Sequence, residues 1–474
     1  MKPLTTVRIM KALIGNQLSR SFISSLGRRC EADGADRFEV AIDLMMGARK
    51  EACAACTLAE KGLSGMLTAG AMGFGIDRAD VIEALRDPHW RRGMVNVMRG
   101  IGTFGVQRPF VPGAPFQVVW DVTYGCNLRC RHCYASAGSP HPDELSTDDA
   151  HRVIDKLSDW GVPIIAFSGG EPLVRSDILD LAHHAHEKGI YVAMATNGTL
   201  ISEHKAKEMA EAGVRYLQIS LDGADAATHD SFRGIEGAFD RTVAGIRNAV
   251  NEGFFTSISI TATRANLAAV PDVIDLGTRM GVNWIMVYNF VPAGRGRDLL
   301  DIDLDPAERE ELLRLLYRRN NGSKTQVLTT APQFARVALQ SCRGGSFLVP
   351  THFYNLNVDD KLLNLTEFIG GCGAGRFYVA VRANGDIDPC VFFPHSIGNA
   401  LTDDLGTLWA NDKLIRDLRD KDLLKGNCGQ CEYRYHCGGC RARAYGYFDD
   451  PLAPDPGCIK NAEVHRSMLI DKIG

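Results

Sequence analysis

Tyr124-Gly125-Cys126-Asn127-Leu128-Arg129-Cys130-Arg131-His132-Cys133-Tyr134 is the stretch from which the rest of the chain is read. Its cysteines, spaced x3 then x2, directly follow a strand-like run, Phe116 to Val122. Three thiolates in so short a loop can hold three irons of a cubane iron–sulfur cluster, whose full protein complement is four cysteines. The fourth iron is then open, and a ligand bound there can receive an electron directly. A zinc knuckle completed by His132 is the plainer alternative, because Cys and His are zinc's usual ligands. The neighbouring motifs favour the cluster.

Outward from the loop the pattern alternates. Strand candidates lie at about 116–123, 163–168, 190–196, 214–221, 256–262 and 284–290, and amphipathic stretches at about 146–161, 175–188, 202–213, 237–252, 268–281 and 305–319. Strand then helix, six times over, implies a parallel sheet with right-handed crossovers. An open doubly wound sheet and an incomplete barrel both satisfy the pattern. In either, ligands gather at the carboxyl ends of the strands, and the motifs fall there. The second strand ends in Ser168-Gly169-Gly170-Glu171-Pro172, the third in Thr196-Asn197-Gly198-Thr199 and the fourth in Ser220-Leu221-Asp222-Gly223. The fifth runs into Thr261-Ala262-Thr263-Arg264, and the sixth into a loop from Tyr288 to Gly296. Ser220 and Asp222 are also good turn caps.

The cysteine loop, with the glycine-rich pentapeptide one βα unit later, resembles the radical S-adenosylmethionine (SAM) enzymes. His132 stands where that family commonly has an aromatic residue. The resemblance covers about 116–460 and implies an α/β chain built on a partial (β/α)6 radical SAM barrel. It implies that Cys126, Cys130 and Cys133 carry a [4Fe-4S] cluster that binds SAM at its open iron. It also implies that Tyr134, Gly169, Gly170, Glu171, Asn197, Ser220, Asp222 and Arg264 contact SAM. In that assignment the backbone and acid of the Gly169–Glu171 motif hold the methionine amino group, and Ser220 and Asp222 face the ribose or carboxylate. Arg264 pairs with the methionine carboxylate, which suits a guanidinium fork. The implied chemistry is reductive cleavage of SAM to a 5'-deoxyadenosyl radical and hydrogen abstraction from an unactivated C–H bond. An electron donor such as ferredoxin or flavodoxin is then required.

The tail carries Cys372, Cys390, then Cys428-x2-Cys431-x5-Cys437-x2-Cys440, and Cys458. Seven cysteines so close together suit metal clusters better than a core or disulfides; zinc fits the x2/x5/x2 run taken alone. Beside the first loop, the arrangement resembles the SPASM extension, which carries auxiliary iron–sulfur clusters. The resemblance implies that Cys428, Cys431, Cys437 and Cys458 ligate one cluster, and Cys372, Cys390 and Cys440 another. Two spacings depart from the usual pattern, leaving Cys342, an oxygen or substrate to complete the second cluster. The segment Cys437 to Tyr445, with Asp455-Pro456-Gly457-Cys458, looks like SPASM enzymes that modify heme precursors.

The chain has 474 residues, 14 cysteines and a net charge of -4, which does not point to nucleic acid. We divide it into a helical region 1–106, a core 107–320 that begins at the proline-rich linker Gln107 to Phe116, a bridge 321–370 and an auxiliary domain 371–474. Residues 1–29 hold six basic residues and no acid, with Val7, Met10, Ile14, Leu18 and Phe22 at helical spacing. Such a helix either packs on the protein, the favoured reading, or lies on an anionic membrane or apolar substrate. Cys30, Cys53 and Cys56 could chelate a metal, but no fourth ligand stands out. The run Gly62 to Gly75 reads as a helix–helix connection or a lid. With no apolar leader and no 18-residue apolar run, a cytoplasmic enzyme is expected, possible membrane contact resting on residues 1–29. The substrate classes left open are a tetrapyrrole, a lipid or other apolar molecule, and a ribosomal peptide. A non-catalytic electron carrier is the competing reading, and it has no use for a SAM pocket.

Overall fold

The computed structural model describes residues 15–74, 77–320, 324–341, 346–350, 355–359 and 366–473. Near the amino terminus a helix, Gln17–Leu26, leads into a hairpin of β1 (Arg29–Cys30) and β2 (Ala35–Asp36). Helices Arg37–Met45, Ala54–Phe74, Arg78–Ala84 and Pro88–Phe104 follow. The first helix starts at Asn16, whose side chain accepts the Ser19 N–H, and buries Ile23 and Leu26. Over residues 17–26, therefore, the apolar stripe packs on the protein, although Leu18 stays 84% exposed. Residues 1–14 of the basic segment lie outside the described residues.

The expected connection at Gly62 to Gly75 is instead helix as far as Phe74. The glycine signal misled because Gly62 serves packing: a Cβ there would stand 2.3 Å from Phe22 Cζ. Gly62 lets the first helix lie close at that point.

The barrel unit is a ten-stranded sheet in the order β14-β13-β12-β3-β4-β5-β6-β7-β8-β9. From β3 (Gln117–Thr123) through β4 (Ile164–Gly169), β5 (Tyr191–Thr196), β6 (Val214–Ser220), β7 (Phe255–Ala262), β8 (Trp284–Asn289) and β9 (Gln326–Thr329) every pairing is parallel. The crossover helices are bounded by sequence. Thr147–Trp160 begins where Ser146 accepts the Asp149 N–H and ends at Gly161 with φ 97°, and Pro306–Arg319 begins with a capping box of Asp305 and Glu308.

Alternate strand residues point to opposite faces. Val118, Trp120 and Val122, Ile165 and Phe167, Val192 and Met194, Leu217 and Ile219, Ile258 and Ile260, and Ile285 and Val287 all join one core with the crossover helices. The helices thus cover a single face. That leaves the intervening residues on the other face, which mixes polar groups such as Asp121, Ser168, Ser220, Ser259 and Thr261 with the rings of Tyr216, Trp284 and Tyr288. A doubly wound sheet carries helices on both faces, so the chain adopts the partial-barrel alternative. The sheet also runs beyond six strands. The supposed bridge contributes β9 and the helix Phe334–Ser341, then the hairpin β10 (Ser346–Pro350) and β11 (Asn355–Asp359). From the tail, β12 (Tyr378–Val381) adds to β3 in parallel, and β13 (Asp386–Asp388) and β14 (Gly398–Asn399) follow antiparallel. Among the described residues no helix is long and apolar enough to cross a membrane.

Candidate active site

The cysteine loop leaves the carboxyl end of β3. Each of its sulfurs meets a donor: Leu128 N–H to Cys126 Sγ at 3.4 Å, Arg233 Nη1 to Cys130 Sγ at 3.7 Å and Ala137 N–H to Cys133 Sγ at 3.4 Å. Donors aimed at sulfur stabilise thiolate and tune a bound cluster. Burial pushes the Cys126 thiol up to about 11, which a bound metal's charge would counter. His132 packs on Phe232 with ring centroids 4.1 Å apart, and burial holds its imidazole well below its ordinary value. The loop is clamped from the far side of the barrel by Arg295, whose guanidinium donates to Cys130 O and Ala137 O.

The pentapeptide after β4 packs directly on this loop. Gly170 N–H donates to Thr123 O at 2.7 Å and Glu171 N–H to Gly125 O at 2.8 Å. Both glycines are required by that approach. A Cβ on Gly169, at φ 120°, would stand 2.4 Å from Thr123 O, and one on Gly170 would stand 2.1 Å from Gly125 O. Tyr134 turns inward, donating to Asp121 Oδ1 at 2.9 Å with its oxygen 3.1 Å from Ser168 Oγ. Asp121 is in turn paired with Arg382 at 2.8 Å.

Three of the residues assigned to SAM, Glu171, Asp222 and Arg264, have protein partners in this structure. Glu171 is fully buried and accepts from Thr196 Oγ1, the Asn197 N–H and the Leu173 N–H. Its carboxylate ties the second loop to the third, Oε2 taking one of those three bonds. Asp222 is also fully buried; it pairs with Arg233 at 2.5 Å and accepts the Thr261 N–H at 2.8 Å. Its role is to hold Arg233 at Cys130. Arg264 lies at the exposed rim, where its Nε donates to Glu308 and its Nη2 faces Asp305, so it does not reach the inner face. The acidic capping box of the next helix captures it. Asn197 links its amide to Asn127 Oδ1 at 2.8 Å, and Ser220 Oγ accepts from Ser259 at 3.4 Å on the inner face.

Sequence reasoning missed Arg233, Arg295 and Tyr134's partner Asp121. Arg233 lies 103 residues from Cys130 and ends an ordinary helix, Ala226–Arg233, so no local signal marks it.

In the tail, one cavity is lined by Cys428, Cys431, Cys437 and Cys458 together. Cys372, Cys390 and Cys440 share an apolar cluster with Tyr378 and Phe393. Here too several sulfurs meet donors: Gly439 N–H to Cys437, Asp455 N–H to Cys428, Arg443 N–H to Cys440, and Tyr378 Oη to Cys390 at 2.8 Å. Arg376 and Lys421 are buried beside Cys372. Arg376 donates to carbonyls, including Phe368 O and Gly370 O, and Lys421 to Leu418 O. Neither has a carboxylate partner among the described residues. Buried cations require counter-charge, which thiolates on a cluster would supply, so the residues fit such a group. Arg441 and Arg443 of the GGCRARAY segment brace the fold, Arg441 on Pro451 O and Ala453 O, Arg443 on Asp455. Cys342, the suggested extra ligand, lies outside the described residues.

Comparison with known proteins agrees with this geometry. Residues 120–276 match the radical SAM superfamily and residues 372–432 match SPASM, an iron–sulfur cluster-binding domain. An AdoMet-dependent heme synthase of Methanosarcina barkeri is 38% identical over 350 residues, covering 73% of this chain and 97% of that protein. The mycofactocin maturase MftC of Mycolicibacterium smegmatis is 34% identical, covering 73% and 83% respectively. In fold, the chain is similar to Streptococcus suis SuiB bound to S-adenosylmethionine, with a TM-score of 0.62 and 18% identity, covering 89% of this chain and 93% of that one. The chain therefore belongs to the radical SAM superfamily: it is an enzyme of the class that binds a [4Fe-4S] cluster and SAM, and it carries a SPASM auxiliary iron–sulfur domain.

Proposed function

We propose that the chain abstracts hydrogen from a C–H bond of a tetrapyrrole precursor, with Cys126, Cys130 and Cys133 as ligands of the SAM-binding cluster. Cys428, Cys431, Cys437 and Cys458 would hold one auxiliary cluster, and Cys372, Cys390 and Cys440 the other. The observation that carries the substrate reading is an aromatic wall. Phe392 meets Tyr134 at 5.1 Å and Tyr288 at 6.3 Å between ring centroids, spanning from the Cys133 side to the Cys390 side. A flat macrocycle suits such a wall, and the heme synthase relative supports the same substrate class.

When bound, the cluster and SAM supply a one-electron cleavage that yields a 5'-deoxyadenosyl radical able to take hydrogen from the substrate. The chain's own residues prepare the place. Arg233, held by Asp222, keeps a positive charge against Cys130. Gly169 and Gly170 present backbone to the methionine end of SAM, and Ser220 and Ser259 offer hydroxyls along the inner face. Tyr134 is held by Asp121 and Ser168, so its ring stays fixed against Phe392. A reduced ferredoxin or flavodoxin type of protein would supply the electron.

The test is anaerobic 5'-deoxyadenosine release from reconstituted enzyme under dithionite, with iron-tetrapyrrole carboxylates added singly. Stimulation by one of them, with a mass change in the tetrapyrrole, is expected. The maturase relative favours a second reading, in which a ribosomal peptide is the substrate. Stimulation by peptide alone would replace the first reading with that one.

A further inference from the structure

We propose that Cys30, Asp33, Cys53 and Cys56 form a single-ion site for a zinc-class divalent metal in the amino-terminal helical region, separate from every iron–sulfur ligand. The fourth ligand that the cysteine spacing did not reveal is a carboxylate. Among the described residues this is the one group of three or more Cys, His, Asp or Glu side chains whose ligand atoms all lie within 4.8 Å of one another.

Two short chelating turns bring the ligands together. Cys30-x2-Asp33 occupies the β1–β2 turn, which closes by a Gly34 N–H to Cys30 O bond of 2.8 Å with Gly34 at φ 73°. That turn brings the Asp33 carboxylate back beside the Cys30 sulfur. Cys53-x2-Cys56 enters the helix Ala54–Phe74, with the Cys56 N–H donating to Cys53 Sγ at 3.4 Å. Cys30 and Cys56 are buried, Asp33 keeps 9% of its side chain exposed and Cys53 is half-buried, so an ion has a way in.

The spacing selects one ion over a cluster. Cys30 Sγ lies 3.6 Å from Cys53 Sγ and 3.4 Å from Asp33 Oδ2. A tetrahedral zinc with Zn–S of about 2.3 Å and Zn–O of about 2.0–2.2 Å has edges of about 3.8 Å between sulfurs and about 3.5 Å from sulfur to oxygen. A cubane puts each thiolate on a different iron and spreads the sulfurs further apart. The carboxylate is also oriented from outside. The Cys53 N–H is shared by Asp33 Oδ1 at 3.2 Å and Oδ2 at 3.3 Å, and Arg49 Nη1 donates to Oδ1 at 3.3 Å, as outer partners of a ligand do, while Oδ2 also faces the Cys30 sulfur. Four closed ligands are the pattern of a structural site. An ion there would staple the β1–β2 hairpin to the helix Ala54–Phe74. In that hairpin Asp36 pairs with Arg99 of the helix Pro88–Phe104 at 2.7 Å, and along that helix Arg92 donates to Val162 O, so the staple stands behind the seat of the helical region on the barrel.

The experiment is metal analysis of the full-length chain, purified without air and carrying its iron. About one zinc per chain is expected, retained in the combined Cys126/Cys130/Cys133→Ala variant and lost at least tenfold in Cys30→Ser and Cys56→Ser while iron stays constant. Cobalt(II) in place of zinc should give thiolate charge-transfer and tetrahedral d–d bands that the Cys56→Ser variant lacks. Where a cysteine variant does not fold, Asp33→Asn should release zinc to a chromogenic chelator at least tenfold faster in folded protein, and Asp33→Cys should restore retention. A chain that binds neither zinc nor cobalt at this site overturns the proposal. So does a Cys30–Cys53 disulfide found by peptide mapping of the freshly purified protein, or a loss of about four irons on Cys30→Ser.

Discussion

The thiols at the two ends of this molecule are gathered in different ways. Near the amino terminus Cys30 and Cys53 stand 3.6 Å apart with a carboxylate between the two turns. The barrel loop and the tail bring more cysteines together, but among the described residues none of their sets draws its ligand atoms within 4.8 Å of one another. Most of their sulfurs are met by a protein donor, as at Cys126, Cys130 and Cys133. Sets that must surround a polyatomic cluster need room and outward support, whereas a set that closes on one ion needs contact. Spacing in the chain alone does not separate the two, since x2 pairs occur in both.

The strongest way to break that contrast is to remove the barrel sulfurs. Cys126/Cys130/Cys133→Ala should abolish SAM cleavage and lower iron from about twelve to about eight per chain, read by iron and sulfide analysis with EPR. A loss of zinc in that variant would join two sites held separate here. Next, Arg233→Leu removes the donor to Cys130 and leaves Asp222 buried without its cation. A cost of about 3–5 kcal/mol is expected, measured by denaturant unfolding, with a shifted midpoint potential for the first cluster in the protein that folds.

A smaller effect is expected from Glu171→Gln. Its carboxylate accepts three donors, so an amide turns one of them against a donor, costing about 1–3 kcal/mol. Unchanged stability together with weakened SAM binding would restore a direct ligand contact for Glu171. The pH profile tests the same support. Burial pushes His229 down to about 3, and its Nδ1 accepts the Asp222 N–H. A neutral buried histidine binds fewer protons folded than unfolded, so stability falls as pH drops from about 6.5 toward about 3, by up to about 1.4 kcal/mol per unit. His229→Gln should flatten that slope in unfolding titrations at pH 7 and 5.5. The least effect belongs to Arg264→Ala. An exposed ion pair contributes about 0–1 kcal/mol, and equilibrium dialysis should show SAM affinity unchanged.

Much of the fold was legible because strands and crossover helices announce themselves by period. The core strands of the barrel and the helices between them begin and end within a few residues of where alternation and capping put them, as at Ser146 and Gly161. The candidate site was legible only as residue types at strand ends. Gly169 and Gly170 could be expected to bring backbone close, whereas Glu171, Asp222 and Arg264 could not be assigned partners from sequence. Each meets groups from other elements: Thr196, Arg233 and Glu308. The glycines at 62 to 75 misled for the same reason, since Gly62 answers to Phe22 from another helix.

By itself, then, the sequence determined the alternating βα order, the three-cysteine loop after the first strand and the cysteine-rich tail. These are local patterns, governed by backbone period and ligand chemistry along a few residues. Only the tertiary structure decided that the helices cover one face of the sheet, that β9 and β12 extend it, and that Asp33 completes a ligand set with Cys30, Cys53 and Cys56. Those outcomes depend on which side chains meet across long stretches of chain, and the free energy of burial and pairing that selects them is set by contacts that no local pattern encodes.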